Sequence, residues 1–210
     1  MKKIFFALMF VSSIASAQDL MAILLPAPQR EIGKPLMQAL TLRQSSRVFD
    51  TKPLPMQELS NLLWASCGIN RPNAGKRTAA SARNWQEIDV YVALPEGVYV
   101  YNAASNLLEP VVKGDLRALF GVQDFVATAP VNLLYVSDFA KIKSNDSDET
   151  KLIFTSVSAG LMAQNVYLYC ASQNLSVVLR GLIPKEKLAA AIKLRPEQKI
   201  LISQTVGYSK

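Results

Sequence analysis

The 210-residue sequence is half hydrophobic and 19% charged, with nine glycines and eleven prolines, which excludes a disordered, collagen-like or low-complexity chain and leaves material for a substantial core. Two cysteines and no histidine exclude a disulfide-dense scaffold, a thiolate-built zinc site, a Ser-His-Asp triad, a Cys-His dyad and any histidine-ligated metal or haem. The formal net charge of +7 is scattered rather than clustered, which suits a solvated surface and not a nucleic-acid footprint.

In chain order, residues 1–17 read as a secretory signal. Lys2 and Lys3 precede an apolar run from Ile4 to Ile14, and Ala15-Ser16-Ala17 offers a small-residue cleavage site. The apolar run is too short to span a bilayer, and no later stretch is long enough to cross one, so the expectation is an exported, periplasmic protein without a membrane span. Residues 18–33, with Pro26, Pro28 and Gly33, read as an extended arm, and 34–210 as a single domain. A short helix is predicted over 35–42 with Leu36, Ala39, Leu40 and Leu42 inward, and a second over 56–67 with Leu59, Leu62, Leu63 and Cys67 on one side and Gly68 as its stop. Residues 68–83 read as a polar loop. Alternating β-branched residues predict a strand over 88–94, turning through Pro95-Glu96-Gly97 into a second over 98–101.

Further on, 115–120 reads as a short helix and 131–136 as a buried strand. Ser144 to Glu149 is the most acidic loop, without the length and glycine of an EF-hand calcium site. A long apolar helix is predicted over about 150–173, a strand over 176–179, a helix from Pro184 to about Ile192 and a closing strand over 199–206. Mixed strands and helices without a repeat predict one α+β domain. Export permits a disulfide between Cys67 and Cys170, whereas their apolar helical settings suit buried thiols.

Four segments can carry chemistry. In Arg43-Gln44-Ser45-Ser46-Arg47-Val48-Phe49, extended geometry places Arg43, Ser45 and Arg47 on one side, two guanidiniums about a hydroxyl, a donor set that suits a phosphate. Asn84 and Gln86 are amides just ahead of a strand, where they can pair with a planar heterocycle or cap their own backbone. Ser158 to Leu168 is a helix segment rich in small residues. Val178-Leu179-Arg180-Gly181-Leu182 is a strand end turning through glycine with exposed N–H groups.

In this order, and with Val206-Gly207-Tyr208 closing the chain, the four segments resemble those of the nitroreductase superfamily of FMN-dependent oxidoreductases. Gly75-Lys76-Arg77-Thr78, Gly97 to Asn102 and Pro130 to Leu134 are most similar to the branch that includes peptide thiazoline and oxazoline dehydrogenases. The resemblance covers residues 34–208. It implies a mixed, mainly antiparallel sheet flanked by helices, with the long helix at a homodimer interface and FMN in each of two interface clefts. Arg43, Ser45 and Arg47 then match the residues that hold the FMN phosphate and ribityl end, and Gln44 contributes its backbone between them. Asn84 and Gln86 match amides at the pyrimidine edge of the ring, and Arg180 and Gly181 the turn whose N–H groups approach the flavin N5 and O4. Met162, Val166 and Tyr169 face either a partner subunit or the chain's own core. The sequence departs from the pattern where Ala80-Ser81 stands for a common Pro-Ser and where Trp85 and Glu87 flank Gln86. The implied activity is hydride or electron transfer through flavin N5 to or from a nitroaromatic, quinone or similar small molecule, with NAD(P)H as one candidate donor. The alternative is a non-catalytic flavin- or ligand-binding protein on the same fold.

Overall fold

The computed structural model describes residues 19–210, and the predicted secretory segment lies outside them. The elements run β1 (Ile23–Leu24), α1 (Leu36–Leu42), α2 (Met56–Cys67), β2 (Ile69–Arg71), β3 (Lys76–Arg77), β4 (Ile88–Leu94), β5 (Gly97–Asn102), β6 (Leu107–Lys113), α3 (Phe125–Thr128), β7 (Val131–Asp138), α4 (Asp148–Gln173), β8 (Ser176–Arg180), α5 (Lys185–Ala191) and β9 (Gln198–Gly207).

The main sheet has seven strands in the order β1-β6-β5-β4-β7-β9-β8, and every neighbouring pair is antiparallel. Alternation along β4 and β7 feeds two cores. Val90, Val92, Leu133 and Tyr135 pack with Leu59, Leu62 and Leu63 of α2 and Met162 and Val166 of α4. On the opposite face Tyr91, Ala93, Leu134 and Val136 pack with Phe120, Val126 and Leu188 of α5. Each leucine so buried contributes about 1.5–3 kcal/mol relative to leaving it in water. A sheet covered on both faces explains why all eight residues of β7 are buried.

The predicted limits of α2 agree with those observed, and its four predicted inward residues are buried. Its stop works through space rather than through an unusual φ. Gly68 sits at φ −65°, but a Cβ there would stand 2.2 Å from Trp64 Cδ1 and 2.8 Å from Trp64 Cα. Gly68→Ala is therefore expected to cost ~2 kcal/mol, seen in a thermal melt as a Tm lower by about 4–8 °C.

Four differences from the sequence reading have physical causes. The arm gives a short edge strand, β1, on β6, and β6 itself was unanticipated because Pro110 breaks its pattern; the register shifts at Val98/Tyr99, where β5 passes Pro110. Residues 69–77 form a small hairpin turning at Gly75, φ +58°, instead of an irregular loop. In α1, which packs on α4, only Ala39 is buried, while Leu36, Leu40 and Leu42 are exposed on its outer side. In α4, Met162 and Val166 lie in the chain's own core and the half-buried Tyr169 donates to Glu58 Oε1 at 2.5 Å; the outward stripe is instead Ile153, Phe154, Val157 and Leu161.

The start of α4 follows capping rules: Ser147 Oγ accepts from the Thr150 N–H, and Asp148 and Glu149 face the positive end of the helix dipole. Both cysteines are buried free thiols, and burial pushes the Cys67 thiol up to about 11, which leaves it unreactive near neutral pH. Among the described residues no helix is long and apolar enough to cross a membrane.

Candidate functional site

The run from Arg43 to Asp50 leaves the end of α1 and lies along the outer edge of β8. The Ser46 N–H donates to Val177 O at 2.9 Å, and the Asp50 N–H to Tyr208 O at 2.9 Å. This pairing imposes the extended geometry, so alternate side chains take opposite sides. Gln44 and Ser46 line a cavity of about 240 Å³ with Cys170, Ala171 and Val177. On the other side, the Arg43 guanidinium lies 5.5 Å from the centroid of the Tyr167 ring, and Ser45 Oγ is 2.8 Å from Tyr167 Oη. Arg47 is exposed, and its guanidinium makes no hydrogen bond or ion pair among the described residues.

Tyr167 is the residue that sequence reasoning missed. Its hydroxyl shares a hydrogen bond with Ser45 and accepts the Leu179 N–H at 2.8 Å, tying the Arg43–Arg47 run to the end of β8. The usable signal was a phenol in an otherwise apolar helix segment, because a buried tyrosine needs a partner for its hydroxyl. β8 ends at the next residue, Arg180, and Gly181 follows it outside the ladder. Nothing stands within 4 Å of where a Gly181 Cβ would be, so that turn is open.

The Asn84 and Gln86 segment is built differently. Arg83, Asn84 and Gln86 all adopt positive φ (49°, 57° and 50°), an unusual run for residues other than glycine. The turn is held because Gln86 bonds at both ends of its amide: Oε1 accepts from Arg77 Nε at 2.9 Å, and Nε2 donates to Gly75 O at 2.9 Å and Asn84 Oδ1 at 3.2 Å. Of the two roles the sequence leaves open for Gln86, a heterocycle partner and a cap on its own backbone, the amide takes the second, not the one the resemblance implies, while the exposed Asn84 has its NH₂ group unused by the loop. Arg83 pairs with Asp146 at 3.0 Å, which also fastens the acidic loop before α4.

Glu87, the departure next to Gln86, is fully buried, and neither carboxyl oxygen has a hydrogen-bond partner among the described residues. Burying such a group unsatisfied costs about 1–3 kcal/mol. Glu87→Leu is expected to raise Tm by several degrees in a thermal melt.

These pieces are not all at one place in a single chain. Trp85 packs edge-on against Phe154, ring centroids 6.1 Å apart, whereas Ser45 meets Tyr167, thirteen residues and about 20 Å farther along α4 at 1.5 Å per residue. Arg43, Ser45 and the β8 edge are brought together; Asn84 and Gln86 stand apart from them. Between lies the outward stripe of α4, where Ile153 is 60% and Val157 57% exposed, and where no atom comes within 4 Å of a Cβ built at Gly160.

The family model described as Nitroreductase family matches residues 40–208. The chain belongs to the nitroreductase family. It is thereby an oxidoreductase of the flavin-dependent kind, and its mixed antiparallel sheet with a 26-residue helix is the nitroreductase fold. A crystal structure from Ralstonia eutropha JMP134, provisionally named a nitroreductase, is 43% identical, with 90% of each chain covered and a TM-score of 0.85. A Methanocaldococcus jannaschii protein, also provisionally named a nitroreductase, is 28% identical over 76% of this chain and 85% of its own. A more distant structure from Desulfovibrio desulfuricans, solved in complex with FMN, is 19% identical over 84% of this chain and 87% of that one, with a TM-score of 0.61, a likeness of fold.

The donors gathered on this run suit an anionic group such as the phosphate of a flavin nucleotide. Arg43 and Ser45 converge on Tyr167, Arg47 has donors to offer an anion, and Tyr167 ties them to the end of β8, after which the open Gly181 follows.

Proposed function

We propose that the protein is an exported, FMN-dependent oxidoreductase acting on a small electrophile such as a nitroaromatic or a quinone, and that it works as a homodimer. The observation that carries this reading is the convergence of Arg43 and Ser45 on Tyr167, beside the β8 edge that leads to the open turn at Gly181. Arg43, Ser45 and Arg47 hold the phosphate and ribityl end, with the Gln44 backbone between them. Tyr167 fixes Ser45 against Leu179 and so sets the spacing between the anion clamp and the turn. The Gly181 N–H, with the Arg180 backbone before it, faces the reactive edge of the ring, and Asn84 faces its pyrimidine edge while Gln86 holds the loop. FMN, when bound, supplies two-electron and one-electron transfer at N5, a chemistry that needs no imidazole from the chain.

The apolar stripe of α4 supports a second copy as its cover, since large contiguous apolar surface is uncommon on a monomer. Two copies meeting there bring Asn84 of one to the clamp of the other. The activity test is anaerobic. Flavin-loaded protein should bleach with a reduced nicotinamide or dithionite and regain its colour with a nitroaromatic or quinone. Bound flavin that no donor reduces, or that no acceptor reoxidises, would instead identify a binding protein on this fold.

A further inference from the structure

Arg180 ends β8, directly before Gly181, and as a residue it is only 6% exposed. Its Nη1 donates to Phe120 O at 2.8 Å, and its Nη2 to Asn132 Oδ1 at 3.1 Å, Ser203 Oγ at 3.0 Å and Thr205 Oγ1 at 2.6 Å. Its Nε has no partner among the described residues. The Phe125 ring centroid lies 5.8 Å from its Cζ. Every acceptor is neutral, and the ion pairs of the described residues do not include Arg180. A buried cation is normally paired with a carboxylate, because the cost of removing it from water is otherwise poorly offset. A cage of uncharged oxygens keeps the ion in place without cancelling its field. The backbone is shaped around it too: a Cβ on Gly121 would stand 1.8 Å from Nη1. Burial lowers the guanidinium only to about 10, so it stays charged near neutral pH.

We infer that Arg180 is a positioning residue of a second kind: its uncompensated buried charge raises the reduction potential of the flavin bound at the Gly181 turn. The inference rests on the flavin reading above. Uptake of a hydride equivalent moves two electrons and one proton from the donor, which is oxidised, onto the ring, and adds one negative charge to it. A fixed cation next in sequence to the turn, acting through protein rather than water, favours that charged form over the neutral oxidised one. Its hydrogen bonds are all internal, so it acts through its field and not as a ligand.

Two substitutions remove the field in different ways. Arg180→Gln deletes the charge. Gln123→Glu cancels it where it stands: Gln123 Oε1 is a buried acceptor without a partner, and both it and Nη1 lie close enough to the Gly121 Cβ position to be under 5 Å apart. Arg180→Lys keeps the charge. In flavin-loaded protein, spectroelectrochemical titration should show Arg180→Gln and Gln123→Glu lowering the reduced-to-oxidised affinity ratio about tenfold, a midpoint about 30 mV more negative for a two-electron couple. Arg180→Lys should stay within threefold of wild type. Flavin-free Gln123→Glu should also melt higher than wild type, because the charge gains a partner. An unchanged midpoint in folded, flavin-loaded Gln123→Glu overturns the inference even if Arg180→Gln fails to fold. Wild-type protein that holds no flavin overturns the functional reading and this inference together, a result plainly different from a normal flavin with an insensitive potential.

Discussion

Arg43→Ala/Arg47→Ala protein is expected to bind FMN about 10²–10³-fold more weakly than wild type, the equivalent of two charge-assisted hydrogen bonds at about 1.5–3 kcal/mol each, discounted for the exposure of Arg47. The two side chains should not contribute equally. Arg43 is half-buried over the Tyr167 ring and held near the ligand in advance, so its loss is felt at all salt concentrations. Arg47 is exposed, and its share should shrink as salt screens it. Riboflavin, which has the same ring without the phosphate, separates the clamp from the ring contacts: the double variant should bind it as wild type does. Equal losses for FMN and riboflavin would mean that the substitutions damage the fold rather than the clamp. Fluorescence quenching of either ligand measures both constants.

Val157→Lys is expected to give a folded monomer that has lost most of its flavin affinity. Val157 is 57% exposed in the middle of the α4 stripe, where it supports no core contact, so circular dichroism and Tm should change little. A lysine there buries a charge in an apolar contact between copies, a cost of several kcal/mol per site and twice that across a two-fold axis. Light scattering gives the mass directly. If the site is shared as proposed, flavin affinity should fall with the dimer, since Asn84 and the clamp lie at different heights on α4. A variant that stays dimeric, or that becomes monomeric with unaltered flavin affinity, contradicts the interface site.

Much of this architecture was readable from residue pattern. The limits of α2 and β4 and the extents of α4 and β9 followed from periodicity and punctuation, since those elements bury a regular face against the sheet. Pattern failed where tertiary pairing overrode it. Pro110 hid β6, which forms only because β5 and β1 supply partners on both sides. The leucines of α1 carry a core signature yet lie open, because residue type alone does not distinguish an exposed apolar face from an interior one.

The placement of the candidate donors was partly legible in the sequence, and their connections were not. Alternation correctly put Arg43 and Ser45 on one side of an extended run, because that run pairs with β8. What joins them to the Gly181 turn is one phenol, Tyr167, more than a hundred residues away, and spacing along the chain contains no trace of that contact. Gln86 shows the reverse: its residue type suited a heterocycle, but three positive-φ residues in its loop use the amide to hold their turn. Arg180 sits at a strand end whose residue types already suggest a ligand turn, but its buried charge without a counter-ion follows from long-range packing, which the local sequence does not encode.

The most direct measurement is an absorption spectrum of the purified protein after incubation with FMN and removal of free ligand. The oxidised-flavin bands should remain with the protein at one flavin per chain, two per dimer. A colourless protein that releases all added FMN would contradict the whole assignment of the Arg43–Ser45–Arg47 clamp and the Gly181 turn.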